Sequence, residues 1–515
     1  MRSVLVVILF LAAQVLSSQS NAEIKQWHKD AAFYFKNQDY YNALLQYQKI
    51  ISANPKDQQA HIAAFVSKVK LSYVLDSLTM HEAILFNSKA TDARYCIAYL
   101  NHMRKKFDES IGILQPIRKK AFKPFYVQPA EFDYLLEASN NAKIHVANPR
   151  RSVIKNLGPV VNTSHPEYVP VINSDETLLY FTSRRPGVTG TKNDSRGFLF
   201  EDIFLSKKVD NVWQPADNLG APINTEAHEA CIALSRDASR MIIYRKAQGG
   251  KGKLYTTKLI ESNKWEEPVV MGPEINSTFN ETSACFTNDT SEIYFCSDRP
   301  GGYGGKDLYR IKKLPNGKWS AAYNLGPNVN TVHDEESPYM HPDGSTLYFS
   351  SRGHNTMGGY DVYKTIYDND NSKYAKAENL GHPINGVGDD MYFIVNVNGQ
   401  KAYYSSIKED SYGAADIYEI DTRFGDNDLV VKHGFLYKEN VQGRGKITLL
   451  DNETNKVTGI YNSNPSSGKF ILIINPLKSY KLIVQEEGYH ALVLDIEPIA
   501  FEKKESDLQL KLTKK

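Results

Sequence analysis

The chain reads as three fold classes in series: an α-helical repeat segment, an all-β propeller and a small β-sandwich. Three observations predict this order. The first stretch is poor in glycine, with apolar residues three and four apart. One seven-residue phrase then returns five times between Asn156 and Asn385, and the last stretch breaks into short strands between Gly, Asn and Pro turns.

Ahead of the helical segment, Arg2 precedes an apolar run from Val4 to Val15 and a polar stretch ending Ser20-Asn21-Ala22, the pattern of a signal peptide over residues 1–22. The run is well short of the roughly 20 residues that a spanning helix needs, and no later apolar stretch reaches that length. No cysteine lies near the cut to accept a lipid, so the expected product is an exported protein starting near Glu23, periplasmic or held at the outer membrane, or at the cell surface, by protein contacts. The 61 basic and 59 acidic side chains leave a net charge of +2, which gives no basic field for nucleic acid. Cys96, Cys231, Cys285 and Cys296 are too few to staple 515 residues, so the cores must hold by packing. Cys285 and Cys296 could face each other across a hairpin, as a disulfide or as buried thiols.

Residues 23–148 are expected to be helical, on the spacing of Ala32, Phe35, Tyr40, Ala43, Leu44, Tyr47 and Ile50. The order Ala32, Tyr40, Ala43, Ala53, Pro55 resembles a tetratricopeptide repeat, with a second copy around Ala98, Phe107, Ser110 and Ile111. The resemblance implies a groove filled either by a partner peptide or by the rest of the chain.

The propeller is expected over residues 150–421. Its phrase runs NLGPVVN from Asn156, NLGAPIN from Asn218, VMGPEIN from Val270, NLGPNVN from Asn324 and NLGHPIN from Asn379. Each unit adds a strand such as LYFSS, a glycine-rich loop, a strand such as GGYDVYK, and an outer strand marked by Trp213, Trp265, Trp319 or Tyr374. Four short strands per unit of about 50 residues make a blade. The phrase LYFSS…GG.D.Y is similar to the WD40-like repeats of TolB-type propellers. The last unit lacks a fourth strand, and Ser152 to Asn156 supplies an orphan one, so joining them closes five blades, or six if the long first unit holds another.

Aligned units show an acidic series five residues after each repeated asparagine: Glu167, Glu229, Glu281, Glu335 and Asp390. A basic series follows the same asparagines at 21 to 23 residues: Arg184, Arg245, Arg299, Arg352 and Lys408. The carboxylates are expected to ring one channel mouth, either binding a cation or basic segment or, as the matching basic series favours, pairing structurally with the arginines. The glycine-rich loops are expected to be turns with positive φ and not phosphate cradles, since no helix follows them.

Residues 429–515 contain SSGKF at Ser466, YKLIV at Tyr480 and EEGYH ending at His490, and look like a carboxypeptidase regulatory-like module. The three parts together resemble envelope proteins that commonly continue into an OmpA-like peptidoglycan-binding domain, some of them components of type IX secretion or gliding machinery. This chain ends at Lys515, so direct peptidoglycan binding is not expected. The resemblance implies a non-catalytic scaffold whose partners are other envelope proteins. The alternative is a carbohydrate-binding or glycan-processing propeller, which for hydrolysis needs two carboxylates in unlike environments. No serine elbow, zinc spacing or nucleotide loop appears, so no catalytic residue, metal or cofactor is assigned; His228, His333 and His354 read as isolated loop histidines.

Overall fold

The computed structural model describes residues 21–71, 75–118, 125–194, 198–246, 251–261, 264–368, 370–421, 429–498 and 507–515. The expected export segment lies almost wholly outside them. The chain divides into two compact units between Ala147 and Asn148.

In the first unit, helices Asn21–Lys36 and Tyr40–Ala53 pack as a hairpin through Ala31, Ala43, Tyr47 and Ile50, all buried. Asp39 caps the second helix by accepting the Asn42 N–H at 3.1 Å, and Asp57 caps helix Gln58–Lys70 through the Ala60 N–H at 2.9 Å. Ala31, rather than Ala32, is the small residue that is fully buried in the hairpin. Buried Asp92 takes the backbone N–H groups of Phe125, Tyr126 and Val127 at 2.8 to 3.0 Å, which fixes Tyr126 against Tyr47 and Phe35. The short helices Leu75–Thr79 and Glu82–Phe86 and the longer helices Thr91–Met103, Phe107–Arg118 and Pro129–Ala147 follow in the same unit.

The second unit contains five antiparallel sheets of four or five strands. Their innermost strands are Glu167–Ile172, His228–Leu234, Ala284–Phe286, Glu335–Met340 and Asp390–Val395. Successive innermost strands lie side by side, and the first also lies against the fifth. Strand Val153–Asn156 pairs with Asp416–Asp421 of the fifth sheet, Val153 opposite Asp421, so the two ends of the repeat array share one sheet.

The repeated phrase has a structural reason in each sheet. The last asparagine of NLGPNVN, Asn330, donates to the Leu308 carbonyl at 3.0 Å and accepts the Leu308 N–H at 2.8 Å, and Asn162, Asn224, Asn276 and Asn385 do the same to Ile417, Ile203, Leu254 and Val362. The first asparagine donates to a buried aspartate: Asn156 to Asp416, Asn218 to Asp202, Asn324 to Asp307 and Asn379 to Asp361, all within 2.6 to 2.7 Å. In the second sheet the asparagine is replaced by Val270 and the aspartate by Lys253, so both partners change together. Buried polar groups tolerate loss of both partners better than loss of one.

The glycine-rich loops answer to packing as well as to φ. Gly301 has a φ of +90°, but a Cβ on Gly304 would lie 2.3 Å from the His333 carbonyl, and one on Gly358 would lie 2.1 Å from that of Val387. These glycines let each loop press on the next sheet.

Beyond Asp421, two four-stranded sheets share a core of Leu436, Ile447, Leu449, Tyr461, Phe470, Leu472, Leu482 and Leu510. They sit against the ends of the inner strands opposite the acidic series. Asn288 donates to the Thr458 carbonyl at 2.6 Å, Asp237 accepts from Asn462, Asp175 pairs with Lys469 at 3.2 Å, and Val397 joins their core.

Candidate functional site

The acidic series lies in the walls between sheets, buried in all five cases. Glu167 accepts the Thr163 N–H at 2.7 Å and the hydroxyls of Thr163 and Ser183 at 2.8 Å. Glu229, Glu281 and Glu335 repeat this with Thr225, Ser277 and Thr331. In the fifth sheet Gly386 leaves only its N–H, 2.7 Å from Asp390.

The basic series needs correction at two places. Glu167 pairs at 3.0 Å with Arg185, not Arg184. Arg245, Arg299 and Lys408 do reach Glu229, Glu281 and Asp390, at 2.9, 3.2 and 4.0 Å. In the fourth sheet the equivalent position is Gly353, and among the described residues no cation pairs with Glu335. The allowance of 21 to 23 residues had merged three adjacent positions: Arg245 at 21 and Arg299 and Lys408 at 23 face the wall, and Arg184 and Arg352 at 22 face the mouth. Environments within the series are therefore unlike. Burial pushes the Glu335 carboxyl up to about 7 and that of Asp390 up to about 6, against the hydrogen bonds and, for Asp390, the Lys408 charge.

The side chains that face the mouth come from three other positions and from Tyr392, which lies in the irregular stretch of the fifth inner strand between Met391 and Ile394. One residue after each acid stand Tyr168, Ala230, Thr282, Glu336 and Met391. Just before the third strand stand Glu201, Gly252, Lys306, Tyr360 and Ala415. After the second strand come Arg184 and Arg352, the residues that the sequence had paired with Glu167 and Glu335. Arg184 bonds Glu201 at 2.7 Å and Asp194 at 2.9 Å, and His228 Nδ1 lies 2.6 Å from Glu201. His228 is thus no isolated loop histidine; its ring stacks on Phe200 at 3.7 Å. Burial alone would raise the Glu201 carboxyl, but the His228 hydrogen bond and the Arg184 charge hold it below its ordinary range.

Across the mouth, Lys306 pairs with Glu336, which also accepts the hydroxyls of Thr282 and Ser283. These contacts hold the Glu336 carboxyl below the usual range despite burial. Tyr168 and Tyr392 face each other with ring centres 6.3 Å apart, and Arg352 lies over the ring of Tyr360 at 5.6 Å. All three tyrosines are half-buried. Below them the inner strands enclose a narrow axial cavity whose lining mixes apolar side chains such as Val171, Leu234, Phe286 and Phe393 with polar ones such as Asn173 and Arg236. Sequence alignment could have found the mouth by asking which repeat positions vary most in chemistry while their neighbours stay constant.

The four cysteines are buried free thiols. Cys285 pairs in register with Tyr294 and Cys296 meets Ser283, so they do not face each other across the hairpin. The once-per-sheet aromatics belong to the packing: Trp265 and Tyr374 are buried, Trp213 and Trp319 half-buried.

No protein-family model and no curated protein matches the chain. Among solved structures it is similar to TolB from Acinetobacter baumannii, at 14% identity over 57% of this chain and 71% of that one, TM-score 0.33. It is similar to a thermostable family-43 glycoside hydrolase at 12% identity over 61% and 99%, TM-score 0.35. A GH62 hydrolase in complex with xylotriose is similar at 11% identity over 53% and 97%, TM-score 0.35. The glycoside hydrolases among these structures overturn the expectation that the chain is not an enzyme. None of these likenesses assigns an activity.

Proposed function

We propose that the second unit is a carbohydrate-binding, glycan-processing propeller of five blades, plugged at one end by the C-terminal sandwich and open at the mouth that Tyr168, Tyr360 and Tyr392 line. The observation that carries this reading is half-buried tyrosine faces set among fixed charges, Arg184–Glu201 and Lys306–Glu336. Sugars are bound by stacking their apolar faces on aromatic rings while their hydroxyls meet polar groups held in place. The apolar N-terminal run supports export, and among the described residues no helix is long and apolar enough to cross a membrane. The helical unit is read as tetratricopeptide-like on its hairpin packing.

The test is a glycan array probed with the chain from Glu23 to Lys515, beside Tyr360→Ala and Tyr392→Ala. Retention of oligosaccharides that each variant weakens about tenfold supports the reading, and a blank array with folded protein overturns it.

A second reading, capture of envelope proteins by the same face, is favoured by exposed apolar side chains on the loops around the mouth. Phe198, Tyr303, Val332 and Tyr412 all stand there, Val332 at 76% exposure. Crosslinked capture from the host envelope, lost when Tyr303 and Val332 become serine, would support it; capture that survives the double change would count against it.

A further inference from the structure

We propose that His228 is the proton acceptor of the mouth, an imidazole fixed by Glu201 and Arg184 so that its Nε2 receives a hydroxyl of the bound ligand. The proposal rests on the glycan reading for the nature of that ligand and on geometry for the rest. Glu201 is 9% exposed and ionised beside Arg184, so it can only accept, and the 2.6 Å contact puts the ring proton on Nδ1. The lone pair then falls on Nε2. That atom has no hydrogen-bond partner among the described residues and is not among the buried polar atoms. Arg184 holds the same carboxylate oxygen at 2.7 Å and is itself tied to Asp194 at 2.9 Å, while Phe200 covers one face of the ring at 3.7 Å. A histidine oriented through one nitrogen by a carboxylate and open at the other is the arrangement that proton transfer requires.

The repeat isolates this position. Each acid of the series is preceded by one residue, and in the fourth and fifth sheets it is Asp334 and Asp389, which accept the backbone N–H groups of Lys306 and Tyr360 at 2.9 Å. Those aspartates cap a loop. His228 stands in the same place in the second sheet and instead turns Nδ1 to a side chain. The departure coincides with Glu201 standing where the later sheets have Lys306 and Tyr360, so two positions changed together toward one contact. His228 accepts a hydroxyl and, where the bound glycan is processed, serves as its base; Glu201 and Arg184 are positioning residues.

The experiment is nitrogen NMR of the Glu23 to Lys515 chain carrying labelled histidine, at about pH 8 where ordinary imidazoles are neutral, with His228→Gln to assign the resonances. The expected ring carries its proton on Nδ1 with Nε2 bare; a proton on Nε2 overturns the proposal whatever else binds. Glu201→Gln tests the positioning: Arg184 will claim the amide oxygen, the amide NH2 will face Nδ1, and the ring proton should move to Nε2. An unmoved tautomer overturns the role of Glu201. His228→Gln should weaken xylotriose, used as the probe, about tenfold with an unchanged melting temperature, and equal affinity overturns the acceptor role. If neither xylotriose nor any other array sugar is retained while the Nδ1 tautomer holds, the glycan reading falls and the acceptor stands.

Discussion

His354 donates its Nε2–H to the Val329 carbonyl at 2.9 Å, taking the place that a cation fills in every other sheet. Arg185, Arg245, Arg299 and Lys408 reach the carbonyls of Val161, Ile223, Ile275 and Ile384, each one residue before the repeated asparagine. The ring also lies beside Phe349 and Tyr363, as Arg299 lies over Phe295 and Tyr309. Burial lowers the His354 pKa, so the substitute is neutral, and Glu335 below it has lost its counter-charge.

That loss predicts a pH dependence. The folded value of Glu335 near 7 exceeds the ordinary 4.5, so between these limits the native state keeps a proton that the unfolded chain has released. The contribution is fully present below the unfolded value and is lost as pH rises through the folded one, by about 3 kcal/mol. Asp390, raised from 3.8 to about 6, acts in the same direction. Urea midpoints of the wild type should fall between about pH 5 and pH 7.5 by an amount that Glu335→Gln reduces; equal slopes in both proteins would refute the assignment.

Arg185→Met should lower stability by about 3 to 5 kcal/mol, because it leaves the fully buried Glu167 charged and unpaired. Adding Glu167→Gln should recover part of the loss. A double-mutant cycle in urea checks this, and additive losses would mean that the pair is not coupled.

Closure through Val153–Asn156 predicts that Lys155→Pro is costly: in step with the Leu157 N–H donated to the Ile417 carbonyl, Lys155 stands in the hydrogen-bonded pair with Glu419, and proline removes that ladder bond. The expected cost is about 3 kcal/mol. Limited proteolysis should then cut first within 150–156, whereas a wild-type digestion pattern would place the closure elsewhere.

All four cysteines should resist a thiol reagent in the native protein and react together on denaturation. Each is buried, and burial pushes the Cys285 thiol up to about 12, so thiolate is scarce as well as covered. Fewer than four reactive thiols in denaturant without reductant would reveal a disulfide.

Much of this fold was legible in the residues because its repeat is stitched by local hydrogen bonds. Asn330, Asn324 and Asp307 hold one another within a single sheet, so their spacing had to recur, and the missing last strand was visible as the extra residues at Val153 to Asn156. The acidic series was visible for the same reason. Its partners were read one residue off at Arg184 and Arg352, because side chains alternate faces along an extended chain and one step separates wall from mouth. Gly353 and His354 broke the pattern just where the tolerance in spacing concealed it.

Periodicity and short-range bonding thus determined the helical start, the five-fold repeat and the buried acids, since these depend on residues close in sequence. The mouth depended on which variable positions of different sheets were brought together. Glu201 and His228 are 27 residues apart and belong to no shared motif, and Lys306 and Glu336 are 30 apart. Their contacts exist only because adjacent sheets pack at a fixed offset, a long-range geometry that no local spacing encodes.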